Sequence, residues 1–330
     1  MAQRMIGERQ RWAWLTAGLS AVAAAKTCSL GWLWVLVGGL VVTLYYIYMD
    51  RFLRPCGVAR LLTVGMGRVG RVLAVLTFLW TTVLLAWSAG LADAAFPMVD
   101  GFPVLGLVLL GVAAWGGNKG EAACARCAGV LCLFLIVLYG IVAVFSVPDI
   151  QPRFLAVRQP WENSLWAAGL FLLPAAVMYV PCRQSRKKPV WLHLLLLPGA
   201  AVLLAVICDG VLSPQLAAIQ TAPLYTVAQS VSIFGVLERI EPLVSAAMTM
   251  GVFSLLSAMA CACRALGNEM GKQSHYASAA CAGAAVLLWP AARLSLPVIT
   301  IGTVIFYFLI PLLAVITGRN YKNTNRKWEK

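Results

Sequence analysis

The most constraining feature of this sequence is a series of long apolar segments separated by short clusters of charged residues, prolines and glycines. Of the 330 residues, 61% are hydrophobic and only 12% are charged. Soluble domains carry about twice that share of charged residues. The hydrocarbon core of a bilayer is about 30 Å thick, and a helix needs roughly 20 residues to cross it. The sequence therefore predicts an all-α polytopic membrane protein.

The apolar segments divide the chain into ten predicted transmembrane helices, which form a single integral membrane domain over residues 1–330. Their approximate bounds are 12–27, 31–49, 72–95, 103–116, 127–147, 163–182, 190–212, 238–264, 275–291 and 294–318. The segment 215–237 is too polar to count as a span, and we interpret it as an interfacial helix.

The 26 Lys and Arg residues sort by side of the membrane. If the N-terminus is inside, 21 of them lie at inside positions. The remaining five lie outside: Lys26, Arg153, Arg158, Arg239 and Arg293. Because Lys and Arg are retained on the cytoplasmic side, this partition predicts that both termini are cytoplasmic. It also accounts for the net charge of +14 without a nucleic-acid partner, and we expect none.

Each half of the chain holds five spans, so spans 1–5 and spans 6–10 would insert with opposite orientations. That arithmetic is typical of the inverted repeats of secondary transporters, whose helices are broken near the midplane. Pro174, near the middle of span 6, frees the carbonyl of Leu170 and indicates either a broken helix or an ordinary kink. Gly18 and Ser20 in span 1 allow either close helix packing or an unwound turn. We expect both spans 1 and 6 to be discontinuous.

Facing breaks in spans 1 and 6 would offer free backbone groups to the carboxylate and ammonium of an amino acid. We therefore expect the ligand to contact Gly18, Ser20, Leu170 and Pro174, with spans 3 and 8 closing the pocket.

An ionic cluster, Glu238, Arg239 and Glu241, opens span 8 near the outer surface. It is either a solvated anchor or a latch in which Arg239 is held by a carboxylate, with Asp209 among the candidates. Sequence alone does not decide between the two.

Motifs for catalysis or cofactor binding lack the context that they need. The segment 65–70 matches GxGxxG, but the long apolar helix behind it leaves no βαβ unit, so we interpret it as a cytoplasmic turn opening span 3. Cys124 and Cys127 form a CxxC without a second cysteine pair or a histidine pair. No nucleophile elbow or HExxH motif is present. We expect neither an enzyme, nor a cofactor, nor a metal site.

Two segments resemble GerAB-type spore germination permeases. Residues 222–241, which include Pro223, Ile233, Arg239 and Glu241, are similar to the region before span 8 in that family. The glycine-rich segment 65–70 is similar to the family's entrance to span 3.

The resemblance implies a LeuT-like five-plus-five inverted repeat of the amino acid/polyamine/organocation superfamily. It further implies a germinant-receptor B subunit in the bacterial inner membrane, which recognises a small germinant such as an amino acid together with A and C subunits. An ion-coupled amino acid permease of the same fold is the alternative, and the lack of a carboxylate or lysine in the middle of any span favours the receptor. A structural membrane protein without a ligand is the third possible function.

Reporter fusions test the predicted topology. Fusions after Arg68, Lys119, Lys187, Lys272 and Arg326 should all give a cytoplasmic signal, because these positions lie among the retained positive charges. An external signal at Lys187 or Lys272 would contradict the five-plus-five arrangement.

Overall fold

The structure, a computed structural model, describes residues 6–53, 57–93, 104–157, 159–183, 191–220, 222–230, 241–270, 277–288, 290 and 293–317. Over these residues the fold is all-α apart from one pair of two-residue strands. The helices are α1 (Glu8–Ala25), α2 (Trp32–Leu53), α3 (Gly57–Gly65), α4 (Gly67–Asp93), α5 (Val104–Lys119), α6 (Glu121–Ser146), α7 (Pro152–Leu155), α8 (Asn163–Phe171), α9 (Trp191–Leu212), α10 (Pro214–Ile219), α11 (Pro223–Ser230), α12 (Glu241–Glu269), α13 (Ala277–Leu287) and α14 (Leu296–Val304). A 3₁₀ segment (Leu173–Tyr179) follows α8, and a π segment (Ile305–Leu309) follows α14.

Five stretches of helix are long and apolar enough to cross a membrane: Trp32–Asp50, Gly67–Ala92, Glu121–Asp149, Glu241–Glu269 and Leu296–Thr317. Three shorter apolar helices, Val104–Lys119, Asn163–Tyr179 and Pro198–Leu212, accompany them. The predicted spans 12–27 and 275–291 coincide with α1 and α13. The chain is therefore a helical, membrane-embedded protein.

Helix α1 runs without interruption from Glu8 to Ala25, so the prediction of a discontinuous span 1 was wrong. Its residues are mostly Ala, Leu, Trp and Arg, and a single glycine in a helix costs only about 1 kcal/mol. Gly18 serves close packing instead. A Cβ atom placed there would lie 3.5 Å from the Cβ of Pro174 and 3.6 Å from the Cα of Leu255.

Helix α1 lies at the centre of the bundle, in contact with α6, α9, α12 and the 3₁₀ segment. Thirteen of its 18 residues are buried. The indole Nε1 of Trp14 donates to the carbonyl of Ser254 at 2.9 Å and to the Ser257 hydroxyl at 3.2 Å. These bonds fix the α1–α12 contact with polar groups that the surrounding apolar core cannot replace.

Span 6 is divided in the structure. Helix α8 ends at Phe171, the 3₁₀ segment carries the chain to Tyr179, and Val180 is extended. Strand β2 (Cys182–Arg183) then pairs in parallel with β1 (Ile6–Gly7), which directly precedes α1. We call this end of the bundle, where α1 begins, the proximal end, and the end at which α1 finishes the distal end.

Two other segments can be compared with their predicted form. The GxGxxG segment 65–70 contains the predicted turn, since α3 ends at Gly65 and Gly67, with φ +58°, leads into α4. The segment interpreted as one interfacial helix contains α10 and α11, separated at Gln220, which is extended. Pro223 favours that separation because it cannot continue a helix from the preceding turn. Residues 231–237 lie outside the described residues.

A buried ion pair joins α1 and α2 at the proximal end. Arg11 and Asp50 are almost fully buried, and Nη1 of Arg11 lies 3.2 Å from Oδ1 of Asp50. Nη2 of Arg11 donates to the carbonyl of Val180 at 2.9 Å. One guanidinium therefore connects α1, α2 and the end of the 3₁₀ segment.

The variant Asp50→Asn should destabilise the protein strongly. It keeps the size of the side chain but removes the charge opposite Arg11, and breaking a buried pair costs about 3–5 kcal/mol. The measurement is the thermal unfolding midpoint of the purified protein in detergent. Asp149→Asn, at an exposed carboxylate, is the matched control and should leave the midpoint unchanged. Equal midpoints in both variants would mean that the Arg11 pair contributes nothing.

Candidate functional site

Gly18 and Pro174, two of the residues predicted to contact a ligand, lie against each other. The 3.5 Å distance from a Cβ at Gly18 to Pro174 leaves room for a methyl group and no more. Any ligand must therefore bind beside this contact and not within it. Leu170, also predicted, is fully buried in the last turn of α8.

Ser20 lies on a different face of α1 from Gly18. Two residues along a continuous α-helix are rotated by about 200° from each other. Ser20 accordingly lines a cavity between α1, α6 and α9 with a volume of about 340 Å³. The structure thus separates the predicted site residues into two groups, and the separation follows from the unbroken helix.

The walls of this α1–α6–α9 cavity are apolar except for three hydroxyl-bearing residues, Thr16, Ser20 and Tyr139. Thr16 donates to the carbonyl of Trp12 at 2.9 Å, and Ser20 donates to that of Ala17 at 2.7 Å. The Tyr139 hydroxyl is buried, and its interaction with the Ser20 side chain falls short of a well-formed hydrogen bond. It is therefore the hydroxyl at this wall that is most available to a ligand.

The cavity is bordered on one side by residues on the surface of the bundle. Ile136 and Leu203, which line it, are 49% and 47% exposed. In a membrane-embedded protein such apolar surface faces lipid. Sequence reasoning missed Tyr139, although a tyrosine in the middle of an otherwise apolar span is a signal that could have identified it.

The break after α8 changes which carbonyl loses its hydrogen-bond donor. In an α-helix the missing N–H of Pro174 would free the carbonyl of Leu170, whereas in a 3₁₀ helix it frees that of Phe171, three residues back. The chain is 3₁₀ at this point, and the Tyr46 hydroxyl donates to the Phe171 carbonyl at 2.7 Å. The N–H of Leu172 donates to the carbonyls of Ala168 and Gly169, both at 3.2 Å. The carbonyl that the structure shows released and bound again is therefore that of Phe171, and a free Leu170 carbonyl stays a prediction.

Two more tyrosines bind carbonyls of the π segment. The Tyr45 hydroxyl donates to the carbonyl of Tyr307, and the Tyr179 hydroxyl donates to that of Phe306, both at 2.7 Å. The Tyr307 hydroxyl in turn donates to Thr81 at 3.1 Å. The adjacent residues Tyr45 and Tyr46 on α2 thus serve two irregular segments of the chain. Sequence reasoning missed this tyrosine cluster, and the Tyr45–Tyr46 pair within a span was its visible signal.

The ionic cluster predicted at the start of span 8 is described only in part. Glu241 begins α12, while Glu238 and Arg239 lie outside the described residues. Asp209, the candidate partner of Arg239, is buried near the distal end of α9, where its Oδ2 accepts a hydrogen bond from the backbone N–H of Trp32 at 2.8 Å. The pairing of Arg239 with Asp209 stays a prediction.

Comparison with known proteins identifies no family for this chain. No protein-family model matches the chain, and no curated protein matches it. Function must therefore be argued from the arrangement of the helices, the cavity and the sequence resemblance.

The variant Tyr46→Phe tests whether the hydroxyl stabilises the break. It leaves the Phe171 carbonyl buried without its donor, which costs about 1–3 kcal/mol, so the thermal unfolding midpoint should fall. Tyr48→Phe is the matched control, because Tyr48 lies on the same helix and its side chain is 40% exposed. A midpoint lowered equally in both variants would contradict a specific role for the Tyr46 hydroxyl.

Proposed function

We propose that this chain binds a small ligand in the α1–α6–α9 cavity and transmits its binding through α1. The observation that carries the proposal is the position of the cavity beside a helix whose opposite face touches the broken segment. Thr16 and Ser20 line the cavity, while Gly18, between them in sequence, contacts Pro174. A shift of α1 caused by the ligand would therefore be felt by the 3₁₀ segment.

The size and chemistry of the cavity suit a small, mostly apolar molecule. A cavity of about 150 Å³ holds a benzene molecule, so about 340 Å³ admits a ligand roughly twice that size. The apolar wall fits an aliphatic side chain, and the Tyr139 hydroxyl can bond to one polar group of the ligand. The proposed ligand is an amino acid, the kind of small germinant that the resemblance implies, and the apolar wall favours one with an aliphatic side chain.

We further propose ten spans in a LeuT-like five-plus-five inverted repeat, with both termini cytoplasmic. The charge partition supports the orientation. The packing of α1 against α12 and against the broken segment supports a core built from the first, sixth and eighth spans, with a break in the sixth only. In this proposal the protein is a germinant-receptor B subunit of the inner membrane that signals to A and C subunits.

The contact at the proximal end supplies a route for that signal. Arg11, on α1, donates to the Val180 carbonyl at the end of the 3₁₀ segment and pairs with Asp50 on α2. A displaced α1 would change this contact, and the surface around it is where a partner subunit could sense the bound ligand. This is a two-state hypothesis, in which the ligand must bind one arrangement of α1 more tightly than the other.

The Arg11–Asp50 pair also favours the alternative, an ion-coupled amino acid permease. An alternating-access transporter must open and close its inner end, and a buried pair between the first two spans is a suitable closure. Uptake of a radiolabelled amino acid into proteoliposomes distinguishes the two functions. A receptor binds the ligand without accumulating it, whereas a permease accumulates it along an ion gradient.

Filling the cavity should abolish ligand binding. Gly140 lines the cavity and has open space where a Cβ would stand, so Gly140→Leu places a side chain in the ligand volume. Gly129, on the same helix, also faces open space but does not line the cavity, and Gly129→Leu is the matched control. We expect at least a tenfold loss of amino acid affinity, measured by scintillation proximity, in the first variant only. Unchanged binding in Gly140→Leu would place the ligand elsewhere.

A further inference from the structure

A second pocket lies at the distal end, where α2 begins. It has a volume of about 410 Å³ and lies between the start of α2, the loop around α7 and the end of α9. Its walls include Trp32, Trp34, Phe154, Gln159 and Asp209. Three aromatic side chains and a carboxylate thus line one pocket, apart from the α1–α6–α9 cavity.

Asp209 is the unusual member of this wall. Its side chain is buried, and Oδ2 is occupied by the backbone N–H of Trp32. Oδ1 is buried as well and has no hydrogen-bond partner within the described part of the chain. A buried carboxylate held by a single neutral donor is costly, and a buried ionisable group in a membrane protein is a candidate functional site. Within the described residues no positively charged side chain pairs with Asp209, so a ligand can supply the opposite charge.

The two tryptophans are held in place by the loop that covers them. The indole Nε1 of Trp32 donates to the carbonyl of Leu155 at 3.1 Å, and that of Trp34 donates to the carbonyl of Gln159 at 2.8 Å. Their rings are therefore ordered before any ligand arrives, which lowers the entropy cost of binding. Aromatic rings beside a carboxylate are the combination that attracts organic cations.

We propose that this distal pocket binds an organic ammonium ion. Asp209 supplies the opposite charge, and Trp32 and Trp34 line the space for the alkyl groups, because the ring of Phe154 already carries the guanidinium of Arg153 at 4.9 Å. A bare alkali ion would fill only a small part of the volume and would gain nothing from the aromatic walls. The site does not depend on the function proposed for the α1–α6–α9 cavity, because the two share no lining residue.

The test uses the purified full-length protein in nanodiscs, with choline and ethanolamine as quaternary and primary ammonium probes. The neutral control is 3,3-dimethyl-1-butanol, which has the shape of choline without its charge. We expect saturable binding of at least one ammonium probe by calorimetry, with an affinity at least tenfold higher than that of the neutral compound.

One variant with its control, and one further variant, locate the site. Asp209→Asn retains an oxygen for the Trp32 N–H but removes the charge, and it should weaken ammonium binding at least tenfold. Glu269→Gln, at an exposed carboxylate at the end of α12, removes a charge away from the pocket and should have no effect. Trp34→Leu should weaken binding several-fold, and it keeps the test decisive if Asp209→Asn does not fold.

Two results would overturn the proposal. The first is the absence of saturable binding by both ammonium probes, and the second is equal binding by wild type and Asp209→Asn.

Discussion

The structure depends on one requirement, that every backbone carbonyl released inside the bundle finds a donor. Water is absent from the hydrocarbon core, and each unsatisfied group there costs several kcal/mol. The 3₁₀ and π segments both release carbonyls. Tyrosine hydroxyls bind them: Tyr46 at Phe171, Tyr45 at Tyr307 and Tyr179 at Phe306. Irregular backbone is thereby held in a defined shape, so that it can adopt a second shape only if these bonds exchange.

Helix α1 stands opposite this irregular backbone as the rigid element. It is continuous, almost wholly buried and fixed to α12 by the indole of Trp14. One face borders the α1–α6–α9 cavity, and another touches Pro174 through Gly18. A rigid helix between a cavity and a break can transmit movement from one to the other, since packed interfaces have discrete arrangements and do not deform continuously.

Buried charge is concentrated at the two ends of the described bundle and not at its middle. At the proximal end Arg11 is matched by Asp50 and by the Val180 carbonyl, so its charge is well compensated. At the distal end Asp209 has a single backbone donor among the described residues. Among the described residues the two ends therefore differ in kind, because one is closed by its own ion pair and the other holds a carboxylate that no side chain pairs with.

The sequence by itself determined the helical membrane class and the position of the irregular segment at Pro174, because apolar length and a missing N–H are local properties. It also indicated that Gly18 would meet that segment. Only the tertiary structure decided that α1 stays continuous, because neighbouring residues pack into the space that the missing side chain of Gly18 leaves. It likewise decided which carbonyl is released. Pro174 has no N–H to donate, and the acceptor that goes without this donor is Leu170 in an α-helix but Phe171 in a 3₁₀ helix. The donors and the cavity could not be read from the sequence, because Tyr46, Tyr139 and Asp209 acquire their surroundings from helices far away along the chain.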